Sequence, residues 1–313
     1  MRIFVTGVGG QLGHDVMNEL AKRGYEGVGS DIAPSYSGIA DGTAVTTMPY
    51  VQMDITDKAS VEKVIKEANV DAVIHCAAWT AVDAAEDEEN QPKVRLVNVT
   101  GTHNIADVCK ELDIKMLYLS TDYVFDGQGT TPWEPDCKDY KPLNVYGQTK
   151  LDGELAVSGT VDKFFIVRIA WVFGKNGKNF IKTMINLGKT HDTLSVVNDQ
   201  IGTPTYTYDL ARLLVDMIET EKYGYYHATN EGGYISWYDF TKEIFRQAAA
   251  MGHPEYLPEN MTVNSVTTAE YGASKAARPF NSRLDKSKLT ANGFTPLPTW
   301  QDALGRYLKE LDF

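Results

Sequence analysis

The sequence predicts an α/β protein: a doubly wound, parallel Rossmann sheet with a smaller substrate-binding lobe toward the carboxyl end. Three observations carry this expectation. Short apolar runs alternate with helix-period patterns through the N-terminal half, as parallel strands joined by crossover helices require. A glycine triplet, Gly7, Gly10 and Gly13, stands between the first apolar run and the first helical pattern. Beyond Arg168 the alternation breaks, and aromatic, Gly-rich connections lengthen.

Ile3 to Val5 read as the first strand, ending at Thr6-Gly7. Leu12, Val16 and Leu20 then recur at helical spacing until Gly24. Tyr25 to Ser30 form the second strand, and Asp57 opens a helix with Val61, Val64, Ile65 and Ala68 on its inner face. A buried strand is expected over Asp71 to Ala77, a helix through Val94, Val97, Gly101, Ile105 and Val108, and a strand over Met116 to Leu119. Tyr146 to Ala156 begin another helix, and Phe164 to Val167 the next strand. Further on, Thr207 to Glu219 and Ser236 to Ala250 are helical, the latter with Ser236 and Asp239 three apart as a start signal. Trp300, Ala303, Leu304, Tyr307 and Leu308 trace a last amphipathic helix. Residues 1–170 are thus expected to form a nucleotide-binding domain, with a return of the chain near 203–228, and residues 171–313 mainly a substrate-binding lobe.

Composition narrows the function. With 42 acidic against 30 basic residues the net charge is −12, which repels phosphate polymers at long range and argues against nucleic-acid binding. The cysteines, Cys76, Cys109 and Cys137, are odd in number and form no CxxC pair, as expected of a reduced, cytoplasmic protein. The start, MRIFVTG, reads as a strand rather than a signal peptide, and no apolar run is long enough to span a membrane. The acidic run Glu86 to Glu89 reads as solvated surface.

The glycine triplet, G-x-x-G-x-x-G, permits a tight turn, close backbone approach to a pyrophosphate and close helix packing on the sheet. The following helix N-terminus offers free N–H groups and partial positive charge. Asp31, ending the second strand, is placed to accept hydrogen bonds from adenosine ribose hydroxyls; its alternative is a residue that merely begins a polar loop. A 2′-phosphate there meets like charge, and neither Arg nor Lys occurs between Ser30 and Lys58. NADH is therefore the expected cofactor, with NADPH a possible substitute.

Tyr146 and Lys150 form a Y-x-x-x-K pair. On a helix they share one face, with Cβ atoms roughly 5–6 Å apart. An ammonium so placed stabilises phenolate, lowers the tyrosine pKa and equips Tyr146 to give a proton to a carbonyl oxygen. Thr121 follows a strand at the carboxyl edge, where ligands collect in such sheets. Its hydroxyl can bond the same oxygen; Ser120 is the neighbouring alternative. Asn98 is a candidate for holding a relay water or for a purely structural helix position.

At these residues the chain resembles the dTDP-4-dehydrorhamnose reductases, within the extended short-chain dehydrogenases. The resemblance rests on the runs beginning at Ser120, Pro142, Arg168, Asn198 and Arg278, which read STDYVFDG, PLNVYGQTK, RIAWVFG, NDQIGTPT and RPFNSRLD. It implies reduction of the C4 ketone of dTDP-4-dehydro-L-rhamnose to dTDP-L-rhamnose. It also implies that Gln11 and Leu12 join the glycines at the cofactor, that Asp54 and Ile55 flank the adenine, that Ala77 and Ala78 pass the pyrophosphate, and that Asn98 belongs to the cofactor site. Thr80, Val82, Tyr123 and Trp171 are implied to line the sugar pocket and Arg283 to face the diphosphate, each with core or loop packing as the alternative. Trp79 stands where family members often carry His. Magnesium at a dimer contact is known in some members; no ligand cluster in the sequence compels it, and a homodimer remains open.

Two rival readings stay in view. A sugar-nucleotide dehydratase carries Asp-Glu after the threonine, whereas Thr121 is followed by Asp122-Tyr123; an epimerase, or a reductase of another 4-ketosugar, is harder to separate. A non-catalytic NAD(P)-binding protein, similar to the regulatory subunit of methionine adenosyltransferase, has no need of the Thr121, Tyr146 and Lys150 set.

Overall fold

The computed structural model describes all residues except 273 and 312. Strand β1 (Arg2–Thr6) leads through the glycine turn into helix α1 (Gln11–Lys22), followed by β2 (Glu26–Asp31) and β3 (Tyr50–Gln52). Helix α2 (Lys58–Ala68) starts where the Asp57 side chain accepts from Ser60 N–H, and it stops at Asn69 in the left-handed region, φ 48°. Strand β4 (Ala72–His75) is shorter than the expected 71–77. The cause is local: Thr6 Oγ1 accepts from the Cys76 and Ala77 N–H groups, both at 3.1 Å, and diverts the backbone from the ladder.

The next helical stretch is continuous but not uniform. Helix α3 (Gln91–Arg95) passes through a π turn, Leu96–Gly101, into α4 (Thr102–Glu111). Then come β5 (Lys115–Thr121), α5 (Val145–Thr160) and β6 (Phe164–Ile169). Fully buried Arg168 on β6 meets Glu154 on α5 through two parallel bonds of 2.8 Å, fixing that helix over the sheet.

Beyond β6 the elements shorten: β7 (Val172–Phe173), α6 (Phe180–Gly188), β8 (Thr193–Val197), β9 (Ile201–Gly202) and β10 (Thr205–Tyr206). Helix α7 (Thr207–Ile218) and β11 (Gly224–His227) then return to the main sheet. The rest is β12 (Ile235–Ser236), α8 (Trp237–Ala250), β13 (Thr262–Val266), the short α9 (Thr268–Tyr271) and α10 (Ser287–Ala291), and α11 (Trp300–Leu308). Ser236 and Asp239 form the reciprocal cap at the head of α8 that their spacing suggests.

The main sheet has seven strands in the order β11-β6-β5-β4-β1-β2-β3, all pairs parallel. Its two faces bury separate apolar layers, as a doubly wound sheet must. One is formed with α1 and α7, through Leu12, Val16, Leu210 and Leu214. The other is formed with α2, α4 and α5, through Val61, Ile65, Ile105 and Val157. A third core, around Phe173, Ile185, Phe240 and Tyr307, joins α6, α8 and α11 with three two-stranded pairings: β7 with β10, β9 with β12, and β8 with β13. The order in the main sheet reverses at β1, and β1, β4 and β5 point their carboxyl ends at a common cleft. No helix among the described residues is long and apolar enough to cross a membrane.

Candidate active site

The cleft has a volume of about 700 Å³ and runs from the glycine turn to the ends of β5 and β6. At one end the backbone builds the site. Gly7 has φ +70°, and a Cβ there would lie 2.7 Å from Ala77 N; a Cβ on Gly13 would lie 2.3 Å from Gly7 O. Both positions therefore exclude a side chain, and the turn packs directly against Ala77. Helix α1 has Gly10 at its N-cap, with no side chain to bond the first turn. The N–H groups of Gln11, Leu12 and Gly13 thus have no intrahelical partner and open on the cleft. Such free donors at a positive helix end fit a pyrophosphate. Beside them Asp31 accepts Gly9 N–H at 3.0 Å and Ile32 N–H at 2.8 Å, which fixes its carboxylate at the end of β2. The donor set and the acid at the ribose position suit a dinucleotide. Gly7, Gly10, Gln11, Leu12, Gly13, Asp31, Asp54, Ile55, Ala77 and Ala78 all line this cleft.

At the other end side chains build it. Helix α5 is pinned at its start: Asn144 accepts Gly147 N–H at 2.7 Å, and Glu86 accepts Val145 N–H, also at 2.7 Å. Glu86 is thus a structural anchor rather than solvated surface, and Asp87 pairs with Lys275 at 2.8 Å; Glu88 and Glu89 are exposed. Tyr146 and Lys150 face the cleft one turn apart, with Thr121 at the end of β5. Ser120 lines it too, and its hydroxyl has no partner among the described residues.

The electrostatics differ from expectation in one respect. Burial, Asp122 and Tyr123 push the Tyr146 phenol up, and the Thr121 hydroxyl pulls it back only in part. The net direction is upward, opposite to the lowering expected from the Lys150 ammonium, because burial dominates. Lys150 itself is pushed down to about 7 by burial, against the pull of Glu154, and its Nζ lies 4.1 Å from the centre of the Tyr118 ring. Tyr146 is accordingly a protonated phenol at neutral pH.

Thr80, Val82, Tyr123 and Trp171 line the same end. The Tyr123 ring meets that of Tyr146 edge-on at 5.6 Å, and Arg278 holds its hydroxyl at 3.2 Å. Trp171 has φ +51°, which costs a non-glycine residue roughly 1–2 kcal/mol. Its indole stacks on Trp237 at 3.7 Å. That stack holds the strained residue against the cleft.

Two expected site residues are placed elsewhere. Asn98, in the π turn, is buried and does not line the cleft. Its Oδ1 accepts Trp79 N–H at 2.8 Å, and its Nδ2 donates to Trp79 O and Thr149 Oγ1. With those bonds made it orders the loop after β4 and the face of α5. Arg283 is also away from the cleft, because its guanidinium donates to Asn281 Oδ1 at 3.0 Å within its own loop.

Among the lining residues that the sequence reading did not single out are Asp122, Lys178 and Trp237. Asp122 is buried, bonded by Thr121 at 3.0 Å, and burial pushes its carboxyl up to about 6; its Oδ2 has no partner among the described residues. Its adjacency to Thr121 was the available signal. Lys178 and Trp237 come from distant segments with no local motif. Among the described residues no three His, Cys, Asp or Glu side chains gather to hold a metal ion.

The whole chain, residues 1–313, matches the family model described as RmlD substrate binding domain. It is 38% identical over 311 residues to a dTDP-4-dehydrorhamnose reductase of Aggregatibacter actinomycetemcomitans, covering 97% of each chain. Among solved structures it is similar to a dTDP-4-dehydrorhamnose reductase of Clostridium acetobutylicum, with TM-score 0.86 and 36% identity over 99% of each chain. The Bacillus anthracis dTDP-4-dehydrorhamnose reductase, solved in complex with NADP, gives TM-score 0.85 and 36% identity, again over 99% of each chain.

Proposed function

The chain belongs to the dTDP-4-dehydrorhamnose reductase family, and from that premise we propose that it reduces the C4 ketone of dTDP-4-dehydro-L-rhamnose to dTDP-L-rhamnose, with NADH as the preferred reductant. The observation that carries this reading is the meeting of Thr121, Tyr146 and Lys150 with Trp171 at one end of a cleft whose other end is the phosphate turn. A reduced nicotinamide supplies the hydride when bound.

The chain's residues do the rest. Tyr146 donates its phenolic proton to the C4 oxygen. Burial keeps that proton in place at neutral pH until negative charge develops on the C4 oxygen. Thr121 donates a hydrogen bond to the same oxygen and orients it. Lys150, poised near neutrality, is close enough in pKa to take up and return a proton as the phenol is restored. Trp171, Tyr123, Thr80 and Val82 flank the sugar and exclude water. Asp31 receives the ribose hydroxyls and disfavours a 2′-phosphate by like charge.

The test is loss of NADH absorbance with enzymatically generated dTDP-4-dehydro-L-rhamnose, run beside NADPH and with and without magnesium. Oxidation yielding dTDP-rhamnose, faster with NADH, is the expected result. Tight NADH binding without oxidation would overturn the substrate assignment, and a preference for NADPH would overturn the role given to Asp31.

A further inference from the structure

The charged residues lining the cleft are Asp31, Asp54, Asp122, Lys150 and Lys178. Three acids and two lysines leave the cavity formally negative, in a protein already carrying −12. A dinucleotide adds the negative charges of its pyrophosphate. Lys150 is buried at the Tyr146 end, so the phosphate end has one lysine lining it, Lys178.

The segment that carries Lys178 is not a loose loop. It connects β7 to α6 and is fastened to the phosphate turn. Asn179 Nδ2 donates to Gln11 Oε1 at 3.0 Å and to Tyr307 Oη at 2.8 Å. Asn176 Nδ2 donates to Tyr36 Oη at 3.0 Å and Asn176 Oδ1 accepts Ile39 N–H at 2.9 Å. Lys182 Nζ donates to Gly177 O at 2.9 Å. Lys175, the other lysine of the segment ahead of α6, is engaged by Asp41 at 2.7 Å. Lys178 is exposed, lines the cleft and has no hydrogen bond or ion pair among the described residues. Rigid backbone and an unspent ammonium beside free N–H donors are what a pyrophosphate clamp requires.

We propose that Lys178 closes over the cofactor pyrophosphate from the side opposite the N-terminus of α1, supplying the cation that the phosphate turn lacks. This rests on the cofactor part of the reading above and not on the sugar. In the full-length protein, without ketosugar, affinities for NADH, NADPH, ADP-ribose, adenosine and dTDP are measured by titration calorimetry for the wild type, Lys178→Ala and Lys178→Arg. The alanine variant is expected to bind NADH, NADPH and ADP-ribose about tenfold more weakly and adenosine unchanged, with arginine restoring most of the loss. The gap between wild type and alanine is expected to narrow as salt rises.

Equal NADH affinity in wild type and Lys178→Ala would overturn the proposal. So would a loss confined to NADPH, which points to a 2′-phosphate, or confined to dTDP, which points to the substrate diphosphate. Wild-type protein that binds NADH yet fails to reduce the ketosugar would sink the reductase reading and leave the clamp standing.

Discussion

The two ends of the cleft are built from different materials. The glycine-turn end relies on main chain: a left-handed glycine, a close contact between Gly13 and Gly7, and three N–H groups at a helix start. The Tyr146 end relies on ionisable side chains, Asp122 and Lys150 buried and Tyr146 half-buried. Main-chain donors that line a cleft are kept available by the turn's geometry alone, with no side chain to ionise. Buried titratable groups cost stability, and the fold retains them where packing over-determines their position. The difference teaches where substitutions should hurt binding and where they should hurt chemistry.

The sharpest break of that comparison is at Tyr146. Replacing it with Phe removes the proton and little volume, so turnover should fall by about 10³-fold or more while NADH affinity stays within about threefold. Steady-state kinetics with a binding titration checks both halves; a variant retaining near wild-type turnover removes Tyr146 from its role. The opposite end is probed by Gly13→Ala. The added Cβ meets the Gly7 carbonyl at 2.3 Å, and backbone cannot step aside cheaply. Loss of NADH binding by about 100-fold, or destabilisation of roughly 3 kcal/mol in thermal unfolding, is expected. An alanine variant with normal affinity would show that the turn yields more readily than its geometry allows.

The smallest effect concerns stability alone. Lys150 has a folded pKa near 7 against an ordinary 10.5. Between those values the unfolded chain holds a proton that the folded chain has released, so stability climbs with pH across that window and is fully penalised below it. Lys150→Met should therefore stabilise the cofactor-free protein at pH 7 by about 2 kcal/mol, with the advantage fading toward pH 10.5. Denaturant melts of both proteins across that range test this; a methionine variant less stable at neutral pH would mean that contacts such as the one with the Tyr118 ring outweigh burial of the charge.

Much of the frame was legible because its signals are local. Leu12, Val16 and Leu20 declare a helix, the glycines declare the turn before it, and Tyr146 with Lys150 needs only helical periodicity to share a face. What was hidden depends on contacts made after the chain folds. The π turn keeps the apolar residues Val94, Val97 and Ile105 on an ordinary helical pattern, so nothing in their spacing betrays how Asn98 is turned toward the Trp79 backbone. Arg283 is a cation near a suggestive motif, yet Asn281 two residues away captures it. Trp237 reaches the cleft only because α8 packs its first residue on the strained Trp171. The placement of Trp237 follows from the third core, whose strand pairings are mostly two residues long and leave no periodic trace.

The return of α7 and β11 to the main sheet bears on how the molecule comes into being. Helix α7 covers α1, with Arg23 bonded to the Arg212 carbonyl at 3.0 Å, and β11 shields the otherwise open edge of β6. During synthesis the first six strands emerge before either cover exists, leaving an apolar sheet face and an unpaired edge exposed to other chains. The main sheet therefore cannot be completed until His227 has left the ribosome, when α8 and α11 of the third core are still to be made. Closing these long-range pairings is the slow kind of event in folding. A nascent chain of this protein carries an exposed sheet face and edge until α7 and β11 arrive.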